Sequence, residues 1–317
     1  MLTIGIDLGG TNIKAALVDD KNGILHKFSV STEAEKGVAH IIDRLAEAIS
    51  VAASKAEGPI SGVGVGSPGV ISYDRTTVSN PPNFPGWTTV NLAAELKNKT
   101  HFDVYVDNDA NLMALGSSNF GSGKPFANFI MVTLGTGVGG GIILQNKLFR
   151  GATGGAGELG HVSIDYAGPD SHSPTRGGIE AYLGQRFLSR HAWERIQNEP
   201  SNPMFEKFKD NPEELEPREL TAQANEGNML AIDILRDAGE KLGYAIVNYI
   251  HVLDIRKIIV SGGVALAGEW ILKPAREAAL SRMLAPYRTD FEIIAETLGN
   301  DAALLGAASL PYEYLSD

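Results

Sequence analysis

The sequence predicts an α/β chain of two domains, each built on a three-strand antiparallel meander followed by helices, with a cleft between them. Three observations predict it. Short runs rich in Ile, Val and Leu, separated by Gly or Asn-Gly turns, open the chain; the same pattern restarts at Phe129; and stretches with helical apolar spacing separate the strand groups. The 317 residues, 43% hydrophobic and 21% charged, are ordinary globular composition and long enough for two domains of moderate size. A smaller N-terminal domain is expected over residues 1–117, with a C-terminal helix at about 300–317 packing back on it. A larger α/β domain is expected over residues 118–299.

The first meander is read at Leu2–Leu8, Ile13–Val18 and Ile24–Val30. From Val38 to Ala53 the apolar residues Ile41, Ile42, Leu45, Ala48, Ile49 and Ala52 fall on one helical face, and Ile60–Val65 follows as a buried strand. A helix at Leu92–Lys97 and a strand at Val104–Val106 precede Asp107-Asn108-Asp109, after which Ala110–Leu115 opens another helix. The second group of strands is Phe129–Leu134, Gly141–Gln145 and Lys147–Phe149. Helices are expected at Ile179–Leu188, Glu219–Asn225 and Met229–Leu253, then a strand at Lys257–Ser261 and a helix at Trp270–Leu284. Four prolines and many charges make Gln197–Pro217 read as an exposed excursion.

Net charge is −11, so the average field repels nucleic acid and anionic membranes, and neither is an expected partner. The absence of cysteine removes disulfides, thiolate metal sites and cysteine nucleophiles, and with no signal-peptide pattern at Met1–Thr11 a cytoplasmic location is expected. Glycine is over-represented, 36 of 317 against roughly 7% on average, and the excess falls at strand tips. Gly9-Gly10-Thr11-Asn12, Gly135-Thr136-Gly137 and Gly262-Gly263 each follow an apolar run, the second run ending in Thr133-Leu134. Such tips let backbone N–H groups approach a phosphate, although each alone also reads as a tight hairpin turn. Two G-x-G-x-x-G matches, at Gly64 and Gly135, are followed by β-like residues and not by a helix, which argues against a dinucleotide fold.

Asp7-Leu8-Gly9-Gly10-Thr11-Asn12 resembles the first phosphate loop of the actin, chaperone and sugar-kinase superfamily. Gly137-Val138-Gly139-Gly140-Gly141-Ile142, with Gly151 and then Gly157-Glu158-Leu159-Gly160-His161, is similar to the signature of the ROK family of bacterial sugar kinases and repressors. The resemblance covers essentially the whole chain. It implies a two-domain actin-like ATPase (ribonuclease H-like) fold, ATP and Mg²⁺, and phosphorylation of a hexose at its 6-hydroxyl, glucose first among the candidates. N-acetylmannosamine, N-acetylglucosamine, mannose and fructose are alternatives, and a non-catalytic sugar sensor is a further one. Because the first phosphate strand already begins at Leu2, the helix-turn-helix of the repressor branch is not expected here.

By resemblance, Asp109 is the catalytic base, and Asn108 and Asp109 grip the sugar; the same pair would also serve as a helix cap. Glu158, His161 and Glu180 match the sugar-binding trio, with Asn83 and the Ser67-Pro68-Gly69 loop as further sugar contacts. Asn83 reads equally as a turn residue in a proline-rich stretch. Nucleotide contacts are expected from Asp7, Gly9, Gly10, Thr11, Asn12, Thr133, Gly135, Thr136, Gly137, Gly262 and Gly263. Asp7 would hold Mg²⁺ through water or simply close its strand end. Lys14 could approach the phosphates or point to solvent from an edge strand. Many family members follow the signature with a zinc site of three cysteines and the signature histidine. Here Ser171, Ser173 and Gly178 stand at the cysteine positions, so no zinc site is expected. The expected partners are a small-molecule sugar and ATP, and the expected assembly is a homodimer.

Overall fold

The computed structural model describes residues 1–315; the last two residues of the helix expected at 300–317 lie outside them. Strands β1 (Leu2–Leu8), β2 (Asn12–Asp19) and β3 (Gly23–Ser31) form an antiparallel meander, and helix α1 (Val38–Ala53) buries the apolar stripe from Ile41 to Ala52. Strand β4 (Ile60–Ser67) returns parallel to β1. Three two-residue strands, β5 (Val70–Ile71), β6 (Val78–Ser79) and β7 (Thr89–Val90), make a small separate sheet. Then come α2 (Leu92–Thr100), β8 (Val104–Asn108) and α3 (Asp109–Phe120). The first sheet has the order β3-β2-β1-β4-β8, so β2 carrying Lys14 is an interior strand and not an edge.

The pattern then repeats. Strands β9 (Phe129–Leu134), β10 (Val138–Leu144) and β11 (Lys147–Leu148) are followed by α4 (Glu180–Leu183), α5 (Gln185–Ile196), α6 (Pro203–Phe208), α7 (Pro217–Asn225) and α8 (Met229–Leu253). Strand β12 (Lys257–Ser261), α9 (Glu269–Arg282), β13 (Glu292–Ala295) and α10 (Ala302–Leu315) complete the chain. The order β11-β10-β9-β12-β13 matches the first sheet position by position, with β12 parallel to both β9 and β13.

The helix expected at Ile179–Leu188 is two helices, because Gly184 leaves helical geometry (ψ 136°) and lets the N–H of Gln185 donate to the Gly135 carbonyl at 3.0 Å. The stretch Gln197–Pro217 is no simple excursion: it folds α6 and buries Met204, Phe208 and Leu215, while Phe205 stacks on Trp193 with ring centroids 6.0 Å apart.

The chain divides into two compact units. One holds Met1–Ala127, Gly141–Gly157 and the chain from Thr297; the other holds Asn128–Gly140 and Glu158–Glu296. A cut at 117/118 would give residues 118–127 and 141–157 to the second domain, but they pack with the first, where Arg150 donates to the carbonyls of Ser72 and Tyr73 and Gly141 lies on Ala114. Helix α10 packs on α3, β1 and β4 at backbone distance: a Cβ on Gly64 would come 1.7 Å from the Ala307 carbonyl oxygen.

Candidate active site

In the first unit the tip between β1 and β2 is closed by its own backbone. The Gly9 N–H donates to the Asn12 carbonyl at 3.0 Å, and Thr32 donates its hydroxyl to the Gly9 carbonyl at 2.7 Å and its N–H to that of Thr11 at 2.9 Å. Gly10, Thr11 and Asn12 are left exposed at this rigid tip, as an anion-binding loop requires. Asp7 ends β1 beside the loop, and its Oδ2 lies 3.0 Å from Lys14 Nζ. Lys14 is thus paired with Asp7. Asn83 takes a left-handed conformation (φ 68°) with its Cβ next to Gly10, and Gly69 packs against the Ser79–Pro81 backbone of the same turn. The first glycine tip, Asn83 and Gly69 are therefore brought into one neighbourhood.

Strand β8 delivers Asp107, Asn108 and Asp109 to the start of α3. Asn108 is its N-cap, accepting from the N–H groups of Ala110 (2.9 Å) and Asn111 (3.4 Å), and Asp109 Oδ1 accepts from Ala110 N–H at 2.9 Å. The capping role and the catalytic role are compatible, since each carboxylate or amide has further lone pairs or donors.

In the second unit two glycine loops meet. The register pairs Ser261 with Thr133, and Gly262 (φ 97°) lies against the backbone of Leu134, so Gly262-Gly263 and Gly135-Thr136-Gly137 sit side by side. Glu180 Oε2 accepts from the Val138 N–H at 3.1 Å, and a Cβ on Gly137 would lie 2.3 Å from that oxygen. Only glycine allows this approach. Glu180 therefore ties one of its two carboxylate oxygens to the β9–β10 hairpin.

Glu158 precedes and His161 ends a single 3₁₀ turn (Leu159–His161), with His161 Nε2 3.7 Å from Glu158 Oε2. The turn is fixed from two sides: Gly160 abuts the Val138 backbone, and Tyr249 on α8, fully inside the core, donates its hydroxyl to the Leu159 carbonyl at 2.8 Å. Burial raises the pKa of the Tyr249 phenol, so it remains a donor at working pH. The Nδ1 of His161 is buried and has no hydrogen-bond partner among the described residues.

The loop at the family's zinc position closes by other means. Ser171 Oγ lies 3.3 Å from Ser173 Oγ, the two hydroxyls accept from the N–H groups of Ser173 and Thr175, and Ser163 pairs with Gly178 in an isolated β-bridge. Two hydroxyls turned to each other and to backbone, with glycine in the third place, do not fit a tetrahedral Zn²⁺ site.

Three side chains escaped the sequence reading. Sequence places Asp107 only at the end of a strand and gives Arg75 and Arg150 no role, yet the three form a buried ion cluster. The only available signal was a charged residue inside an otherwise apolar strand.

Comparison with known proteins agrees with this architecture. The ROK family model matches residues 3–313. The chain belongs to the ROK family. Among ROK-family relatives, the glucokinase of Thermotoga maritima is 35% identical over 97% of this chain and 96% of its own. The crystal structure of a ROK family glucokinase from Streptomyces griseus in complex with glucose and AMPPNP superposes with a TM-score of 0.84 at 32% identity, over 99% of this chain and 100% of that one. The ROK hexokinase from Thermus thermophilus gives 0.84 at 30% identity with full coverage of both chains.

Proposed function

We propose that this ROK-family chain is an ATP-dependent kinase that phosphorylates glucose at its 6-hydroxyl. The observation that carries the reading is Asn108-Asp109 at the N-terminus of α3, a carboxylate held at a helix start in a chain whose strand tips are built as anion loops. It is supported by relatives named glucokinase at near full-length coverage and by a similar ROK structure with glucose and AMPPNP.

Asp109 accepts the proton of the 6-hydroxyl as that oxygen attacks the γ-phosphorus, and the bond to the bridging oxygen breaks to release ADP. Asn108, Asn83 and the Gly69 loop bind the sugar with Glu158, His161 and the free oxygen of Glu180. Thr11, Asn12, Thr133, Thr136 and the glycines of the three tips bind the nucleotide. Asp7 fits a role in holding Mg²⁺ through water, since it is a partly exposed carboxylate beside the first loop; the ion supplies charge neutralisation on the phosphates. The enzyme works without zinc, as a homodimer, in the cytoplasm, where it feeds glucose into glycolysis.

The test is ADP release from MgATP with glucose, mannose, fructose, N-acetylglucosamine and N-acetylmannosamine in parallel. Glucose should give the highest kcat/KM. Turnover confined to another sugar would reassign the substrate, and sugar binding with no turnover on any would point to a sensor.

A further inference from the structure

Behind Asn108-Asp109 lies a charge cluster that binds neither sugar nor nucleotide in the proposed mechanism. Asp107 is fully buried, and its two oxygens are used differently. Oδ1 accepts from the Asn108 N–H at 2.8 Å and from Asn111 Nδ2 at 3.0 Å, so it grips the residue before Asp109 and the residue two after it. Oδ2 faces Arg75 Nε at 2.9 Å and Arg150 Nε at 3.1 Å. Both arginines are themselves buried, and each is anchored elsewhere: Arg150 donates to the carbonyls of Tyr73 (2.5 Å) and Ser72 (3.1 Å), and Arg75 pairs with Glu313 on α10. Two cations and two carboxylates leave the cluster neutral, which offsets part of the cost of burying charge. The Arg75 backbone is held in the left-handed region (φ 58°), an unfavourable conformation for a residue with a side chain, while its carbonyl accepts the Val106 N–H at 2.8 Å.

A buried charge cluster is a poor way to gain stability, because apolar packing of the same volume serves at least as well. Its geometry suits it to orientation, since Asp107, Arg75 and Arg150 are each tied by at least two contacts. We infer that Asp107, with Arg75 and Arg150, is the positioning device for the base: it fixes the first turn of α3 so that Asp109 meets the acceptor hydroxyl in one orientation. The same charges set the field around Asp109, with two guanidinium groups balanced by Asp107 and Glu313. This rests on Asp109 being the base.

The experiment compares Asp107→Asn, Arg150→Lys and Asp109→Asn in the full-length chain, measuring glucose kcat and KM from pH 5 to 9 together with thermal melting. Loss of orientation costs transition-state contact more than ground-state binding, so Asp107→Asn should lower kcat at least ~10-fold with glucose KM within about threefold. Its unbalanced guanidinium charges should move the acid limb of kcat to lower pH, because they favour ionised Asp109. Arg150→Lys keeps the charge but loses the carbonyl ties, so kcat should fall by about threefold or more with the acid limb in place. If Asp107→Asn does not fold, Arg150→Lys decides. Unchanged kcat in Asp107→Asn and Arg150→Lys while Asp109→Asn is impaired would overturn the inference, as would a loss that only tracks the folded fraction. Wild-type kcat in Asp109→Asn would instead overturn the assignment of the base.

Discussion

Replacing Tyr249 by Phe removes one oxygen from the core and tests how the Glu158–His161 turn is held. The hydroxyl donates to the Leu159 carbonyl at 2.8 Å, and that carbonyl keeps a second donor, the Val162 N–H at 3.2 Å. The acceptor is therefore not orphaned, and the loss sits near the low end of the ~1–3 kcal/mol range for a buried polar group, at about 1–1.5 kcal/mol. For a chain of this size that lowers Tm by about 2–4 °C. If about 1 kcal/mol of it appears as a loosened sugar turn, KM for glucose rises ~5-fold, with kcat changed less. Differential scanning calorimetry and steady-state kinetics on the same preparation read both effects. A Tm and KM equal to wild type would refute the reasoning that α8 fixes the turn through this hydroxyl.

Gly64→Ala tests the packing of α10, where a Cβ would sit 1.7 Å from the Ala307 oxygen. Backbone must move to relieve that overlap, so a loss of at least ~3 kcal/mol in urea denaturation, or failure to accumulate folded protein, is expected. Stability within about 1 kcal/mol of wild type would mean that α10 does not pack as described. His191 is held below the ordinary histidine pKa, first by burial, with Arg190 and Lys241 adding repulsion against the opposing pull of Glu194 and Asp237. The unfolded chain then takes up the proton more readily, so stability should decline as pH falls through about 6.5, and His191→Gln should flatten the slope of the denaturation midpoint between about pH 7.5 and 5.5. An unaltered slope in the variant would assign the pH dependence to other groups.

Much of this was legible because it is local. Ile41 to Ala52 repeat at helical spacing, and α1 buries that stripe; the glycines after Leu8, Leu134 and Ser261 mark strand tips, and all three lie there. What escaped depends on partners distant in the chain. Gly184 breaks a helix because Gln185 bonds to Gly135, and no periodicity reports that. Met204, Phe208 and Leu215 look sparse among prolines and charges, yet other parts of the fold bury them. Lys14 could not be paired with Asp7 until the register of β1 and β2 placed the two side by side. Asp107 looked like a strand end because its arginines come from loops on either side of it in sequence, and only folding brings them to one carboxylate.

The central claim is that Asp109 removes the proton from the sugar hydroxyl in an ATP-dependent kinase. The most direct measurement pairs kcat for glucose phosphorylation by Asp109→Asn with glucose affinity of the same variant by titration calorimetry. The account predicts a fall in kcat of at least ~10²-fold with Kd for glucose changed by less than about 5-fold. A variant that phosphorylates glucose at close to the wild-type rate would contradict it.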